Sequence, residues 1–343
     1  MNKHGGFYGR QGVVDYSVNI NPLGVSDNIR QAIISSIDNI CKYPDIGGNA
    51  AKEAISKHLN TDVDNIIMGN GASELIYLFA RAIQPKKVLI IEPTFNEYRR
   101  AFTLAGSEIY SYVLDNNNDF TFDMDAFSNK VEEIKPDVVV LCNPNNPTGK
   151  YIGIDLIGKL VDIVKQENSF LFIDESFVEF TGNEPIGSAI GYEWILSLRS
   201  MTKYYAVPGL RIGYAVSNIK VIEMMEKYKE PWTMNTFALD IVPKVIEDRE
   251  FHEKANRWVS EEREYMYDAL KKVEVLEVYK SYSNFFLCKL KYFSGNKLNE
   301  ELLKDDMFVR VCDDFVSLND RFVRIALKGR EDNFKLVSRL VRV

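Results

Sequence analysis

Short apolar runs recurring through the middle of the chain constrain the fold most: KVLIIEP (87–93), DVVVLCNP (137–144), SFLFIDES (169–176), WILSLRS (194–200) and RIGYAVS (211–217). Each is too short for an ordinary helix and too uniformly apolar for a strand with one face in water. Each therefore reads as a strand buried on both faces. Helical patterns separate them, so the fold class is α/β, with helices on both sides of a parallel or mixed sheet. From about residue 236 the pattern changes to one long charged helical stretch, FALDIVPKVIEDREFHEKANRWVSEEREYMYDALKKV. NFFLCKL, a further helix, FVRIAL and a terminal helix follow, which is an α+β arrangement. The expected organisation is a segment 1–44 packing with a small domain 236–343, and a large domain 45–235. LDNNNDF reads as a surface turn.

At 343 residues the chain exceeds the length of about 150 residues expected of one domain, so one large and one smaller domain suit it. A net charge of -7 and a pI near 5.3 argue against chain-wide attraction to nucleic acid or an anionic membrane, while leaving room for a locally cationic pocket. MNKHGGFYGRQGVVDYS has no apolar signal core, and no apolar run is long enough to span a bilayer, so a cytoplasmic location is expected. Cys41, Cys142, Cys288 and Cys312 are scattered without a C-x-x-C pair and read as free thiols. His4, His58 and His252 are far apart, and no metal is invoked.

Four stretches carry candidate chemistry. SLRSMTKYYAVPGLRIGY sets Lys203 between Ser200 and Arg211 in an aromatic-rich run, which suits an anion held beside the amine. LCNPNNPTGK puts Asn143, Asn145 and Asn146 after a buried strand, where they suit either a polar turn or a ligand. FIDESFVEF leaves Asp174 and Glu175 at a strand's carboxyl end, where ligands bind in such sheets and where a buried carboxylate needs a cationic or hydrogen-bonding partner. MGNGASELIYLFARA opens a helix after Gly69 and Gly71; the amides around Ala72 and Ser73 suit a phosphate, and a helix capped by Ser73 accounts for the same letters.

In this order, with the S-x-x-K spacing and Arg211 beyond it, the pieces resemble the fold-type I pyridoxal 5'-phosphate enzymes of the aspartate aminotransferase superfamily, nearly end to end. The resemblance implies a large domain with a mostly parallel sheet between helices and a small α+β domain. It implies that Lys203 forms a Schiff base with the cofactor aldehyde, while Ser200, Arg211 and the amides of Ala72 and Ser73 hold the cofactor phosphate. Asp174 would pair with the ring nitrogen, Asn146 would donate to the phenolic oxygen, and Phe95 would stack on the ring. Tyr43 of CKYPDIGG matches a tyrosine that crosses a homodimer interface to the partner's cofactor.

Two branches of the superfamily compete, threonine-phosphate decarboxylase and histidinol-phosphate aminotransferase. HGG followed by DYSVNINPLG resembles the decarboxylase amino terminus and implies substrate contacts from His4, Gly5 and Asn19, with Asn146 beside them. Phe177 stands where aminotransferases usually carry a tyrosine that bonds the cofactor oxygen. Arg310 of VRVCDDF and Arg324 of FVRIAL resemble the decarboxylase's two substrate arginines, which suit a phosphate and a carboxylate on one substrate. The expected reaction is decarboxylation of L-threonine O-3-phosphate to (R)-1-amino-2-propanol O-2-phosphate in cobamide synthesis, with histidinol-phosphate transamination as the alternative. A third reading, a non-catalytic cofactor-binding regulator, calls for a DNA-binding helical part ahead of the motif, which here begins at residue 4.

Overall fold

The computed structural model describes residues 5–186 and 191–343. Its strands are β1 (Val14–Asp15), β2 (Ile66–Asn70), β3 (Lys87–Glu92), β4 (Glu108–Val113), β5 (Val138–Cys142), β6 (Phe170–Asp174), β7 (Ile195–Ser200) and β8 (Ile212–Val216). After these come β9 (Leu276–Val278), β10 (Phe285–Leu290), β11 (Met307–Phe308), β12 (Arg310–Val311) and β13 (Phe322–Ala326). Seven of them form one sheet in the order β2-β8-β7-β6-β5-β3-β4. All neighbours in it run parallel except β8, which is antiparallel to both β2 and β7. The five apolar runs became β3, β5, β6, β7 and β8.

Alternation along the strands sorts their side chains into two cores. Val88, Ile90, Val140 and Phe172 face one layer, and Leu89, Ile91, Val139 and Leu171 face the other. The first face is covered by α3 (Ala72–Ile83), α4 (Glu97–Leu104) and, after two further helices of the opposite layer, α7 (Ile219–Tyr228). That opposite layer is α5 (Met124–Ile134) and α6 (Ile154–Gln166). Helices α1 (Asp27–Ser35) and α2 (Asn49–Leu59) pack instead against α8 (Thr236–Glu247).

The long helical stretch expected after residue 236 is two helices, α8 and α9 (Arg249–Lys271). Asp248 separates them: its backbone leaves helical geometry at ψ 70°, and its carboxylate accepts from the Phe251 amide at 3.2 Å, capping α9. Beyond it lie α10 (Gly295–Leu302), α11 (Arg330–Leu340) and a four-stranded antiparallel sheet, β12-β13-β10-β9. The amino-terminal segment belongs to this end of the molecule. β1 pairs in parallel with β11, the Ala326 amide donates to the Tyr16 carbonyl at 2.9 Å, and the Tyr16 hydroxyl donates to the Asp332 carbonyl at 2.7 Å.

Candidate active site

Strands β7 and β8 pair with Ser200 opposite Gly213, so the connecting loop returns over the end of its own strands and brings Lys203 back to Ser200. Lys203 Nζ donates to Ser200 Oγ at 3.0 Å and lies 5.6 Å from the centre of the Phe177 ring. The amino-terminal segment clips this loop from outside: Asn21 donates its backbone amide to the Lys203 carbonyl at 3.0 Å and its side-chain amide to the Tyr204 carbonyl at 2.9 Å. Burial pushes the Lys203 proton affinity below that of an ordinary lysine. The negative charge of Asp174 opposes that shift, and the positive charge of Arg211 adds to it.

Asp174 ends β6, buried, and among the described residues it receives two hydrogen bonds and no ion pair. Tyr98 donates its hydroxyl at 2.7 Å and Ser176 its amide at 2.8 Å. Glu175, on the opposite face of the strand end, turns away to accept from the Ile186 amide at 2.9 Å and the Ser197 hydroxyl.

The three asparagines after β5 divide between architecture and site. Asn143 exchanges hydrogen bonds with the backbone of Ile152 at 2.9 and 2.7 Å, and Asn145 ties the loop to Pro93 and Thr94 at 2.8 Å each. Asn146 faces the cleft, where its Oδ1 accepts from Arg324 Nη1. Because a guanidinium only donates, the Asn146 amide hydrogens point elsewhere.

Arg324 also donates to the Ser17 carbonyl at 2.7 Å and lies over the Phe285 ring. It makes no ion pair among the described residues, and burial, with the charge of Arg310 adding, pushes it down to about 10. Arg310 instead donates through Nη2 to both carboxylate oxygens of Asp314, at 2.7 and 2.8 Å.

At the start of α3 the capping position is Gly71, and its side-chain-free backbone, at φ 79° and ψ 158°, lets the Arg211 guanidinium lie against it. A Cβ on Gly71 would sit 2.5 Å from Arg211 Nη2. Ser73 therefore lies inside the first turn and is not the cap its letters also suited.

These elements enclose a cavity of about 210 Å³. Gly5, Asn19, Ala72, Ser73 and Phe95 line it together with Asn146, Asp174, Phe177, Lys203, Arg310 and Arg324. Ser200 and Arg211 stand beside it, in contact with Lys203 and Gly71 respectively. Tyr43 does not join them in this chain; it is exposed and packs on Trp232 at 4.9 Å between ring centres. His4 lies outside the described residues. Three buried polar atoms of the wall have no protein partner among the described residues: Asn19 Oδ1, Ser176 Oγ and Arg324 Nε. Sequence reading did not single out Tyr98, Ser176, Cys142 or Ser17, which also line the cavity. The one available signal was for Tyr98, which follows Phe95 by three residues at the opening of a helix and so shares its face.

A lysine amine with lowered proton affinity, a carboxylate locked by two donors, a glycine-opened helix start beside an arginine, and orphaned polar atoms around the gap fit a planar, phosphorylated aldehyde cofactor. They define a fold-type I pyridoxal 5'-phosphate enzyme. The chain belongs to the aminotransferase class I and II family, which it matches over residues 11–340, and its cofactor is pyridoxal 5'-phosphate.

Its relatives include proteins named for decarboxylation and proteins named for transamination. One, from Caldanaerobacter subterraneus subsp. tengcongensis and named "Putative threonine-phosphate decarboxylase", is 39% identical over 94% of this chain and 88% of its own length. The threonine-phosphate decarboxylase of Salmonella typhimurium is 32% identical, over 96% of this chain and 91% of its own. Among solved structures, the histidinol-phosphate aminotransferase from Clostridium acetobutylicum superposes with a TM-score of 0.88 at 33% identity, covering 95% of this chain and 97% of that one.

Proposed function

We propose that the protein decarboxylates L-threonine O-3-phosphate to (R)-1-amino-2-propanol O-2-phosphate, a step of cobamide synthesis. The observation that carries this reading is the 39% identity to the relative named for that activity, sustained over nearly the whole chain. The apolar Phe177 ring beside Lys203 agrees with it, since an aminotransferase of this superfamily usually offers a hydroxyl there. So do two buried arginines in one cavity, which suit a substrate with two anionic ends.

When bound, the cofactor supplies a conjugated ring that accepts the electron pair left as carbon dioxide departs. In the proposed roles, Asp174, held by Tyr98 and Ser176, keeps a proton on the ring nitrogen and so maintains the ring's electron demand. The Asn146 amide hydrogens are aimed by the bond from Arg324, so they serve the cofactor's phenolic oxygen. Ser200, Arg211 and the first amides of α3, at Ala72 and Ser73, hold the cofactor phosphate. Phe95 covers the ring. Arg324, which pairs with no carboxylate among the described residues, takes the substrate carboxylate, and Arg310 takes the phosphate, with Gly5 and Asn19 closing the pocket. Lys203 returns a proton to the carbon that lost carbon dioxide. The proposed domain division at residues 44 and 235 places the two arginines on the carboxy-terminal part and the lysine on the large one.

We further propose a cytoplasmic homodimer in which Tyr43 reaches the partner's site. The exposed apolar side chains around Tyr43, namely Ile37, Ile40, Ile46 and Trp232, support that contact. No helix among the described residues is long and apolar enough to cross a membrane.

The deciding experiment gives cofactor-loaded protein L-threonine O-3-phosphate without a 2-oxo acid, with histidinol phosphate plus 2-oxoglutarate in parallel. Multiple-turnover carbon dioxide release is expected in the first tube. Glutamate in the second, with no carbon dioxide in the first, would assign the protein to the aminotransferases.

A further inference from the structure

The pairing of Arg310 with Asp314 is unexpected in a pocket read as anion-binding. Arg310 is buried and ends its reach in the cavity, yet its Nη2 group is committed to both oxygens of the Asp314 carboxylate, at 2.7 and 2.8 Å. A guanidinium has two faces on which it grips an oxyanion through paired N–H groups, Nε with Nη2 and Nη1 with Nη2. Both use an Nη2 hydrogen, and Nη1 already donates to the Val311 carbonyl. No anion gains a full two-point grip on Arg310 unless Asp314 gives up at least one of its contacts.

Asp314 is in turn held from across the cavity. Asn96, next to Phe95 at the start of α4, donates its side-chain amide to the Asp314 carbonyl at 2.8 Å and to the carboxylate at 3.2 Å. The carboxylate is thus a tethered internal anion, standing where a substrate anion would bind and joining the β12 end of the carboxy-terminal sheet to α4.

We propose that Asp314 is a displaceable counter-ion that sets how strongly an anion must bind to occupy the Arg310 subsite. A dianionic phosphate group draws the guanidinium about twice as strongly as a single carboxylate does and displaces Asp314, whereas a monoanion competes with a carboxylate already in place and loses. The inference rests on Arg310 being the phosphate-binding arginine of the proposed function. It assigns Asp314 as a residue that gates anion entry by acting through Arg310.

The test titrates inorganic phosphate, and separately acetate, into cofactor-loaded protein by calorimetry at pH 8, with the cofactor's own phosphate site filled. D314N keeps the shape and an oxygen for Asn96 while removing the charge. It should bind phosphate about 10-fold more tightly than the wild type and gain a similar factor for acetate, because both anions displace the same carboxylate. In an R310Q background the same substitution should produce no gain. Unchanged or weaker phosphate binding by D314N would mean that the carboxylate merely orients Arg310 and would overturn the inference. A gain that persists without Arg310 would overturn it as well. Because the titration reads binding without turnover, its failure is distinguishable from failure of the decarboxylation assay.

Discussion

Lys203 stands between charges of opposite sign, and the proton it holds reports on both. Burial and Arg211 lower its affinity for that proton, and Asp174 raises it. In cofactor-free protein the pH midpoint for acylation of this amine, followed by peptide mass analysis, should therefore lie below the ordinary lysine value of 10.5. R211Q should move the midpoint up, because a repelling positive charge is gone, and D174N should move it further down; a shift of the opposite sign in either variant contradicts this electrostatic account. The pocket's thiol behaves differently: burial, with the charge of Asp174 adding, pushes Cys142 up to about 12, so it stays protonated near neutrality. Asp174 was legible in the sequence because it ends an apolar strand with a group that burial penalises, and Lys203 and Asn146 because the S-x-x-K spacing with Arg211 and the NPNNPTG run carry the family resemblance. Tyr98, Ser176 and Asp314 were not, since a tyrosine near a helix start, a serine in a turn and an aspartate in a loop are ordinary letters. Tyr98 meets Asp174 only because α4 packs beside the end of β6, Asp314 meets Asn96 only where the carboxy-terminal part reaches the start of α4, and Ser176 bonds Asp174 through a backbone amide that any residue would supply.

Among the elements, the start of α3 is the most exacting. At φ 79° and ψ 158° Gly71 occupies backbone space almost closed to side chains, and a Cβ would meet Arg211 as well. G71A should lower unfolding stability by about 1–3 kcal/mol in denaturant titrations and weaken cofactor retention. Equal stability would show that the loop relaxes without cost. The central strands were readable because burial on both faces writes a continuous apolar run. β4 was not read, since as an edge strand it is only partly buried and its letters, EIYSYV, mix polar and aromatic residues. β2, as long as β5, was not read because its apolar run stops at Met68, with Gly69 inside the strand and Gly71 just beyond it. The break at Asp248 was also missed, because the helical letters continue through it and the interruption is made by a side-chain cap that also receives the Ser26 hydroxyl at 2.8 Å.

For the whole molecule, the exposed apolar side chains of the 3₁₀ turn and loop 37–46, with Trp232, form a surface in need of cover. If it is the homodimer contact, I40K should convert the protein to a species of half the mass in sedimentation, with loss of cofactor affinity as Tyr43 withdraws from the partner's site; a dimer unchanged in mass would place the interface elsewhere. The amino-terminal segment has a consequence for how the molecule is made. Tyr16 and the carbonyl it bonds are 316 residues apart, and β1 has no strand to pair with until β11 exists. On a ribosome adding ~5–20 residues per second, the segment waits on the order of tens of seconds for its partners. Ser17 and Asn19 thus precede by most of the chain the residues that hold them, Arg324 and Asn284, so a nascent chain can complete its seven-stranded sheet while the pocket still lacks a wall.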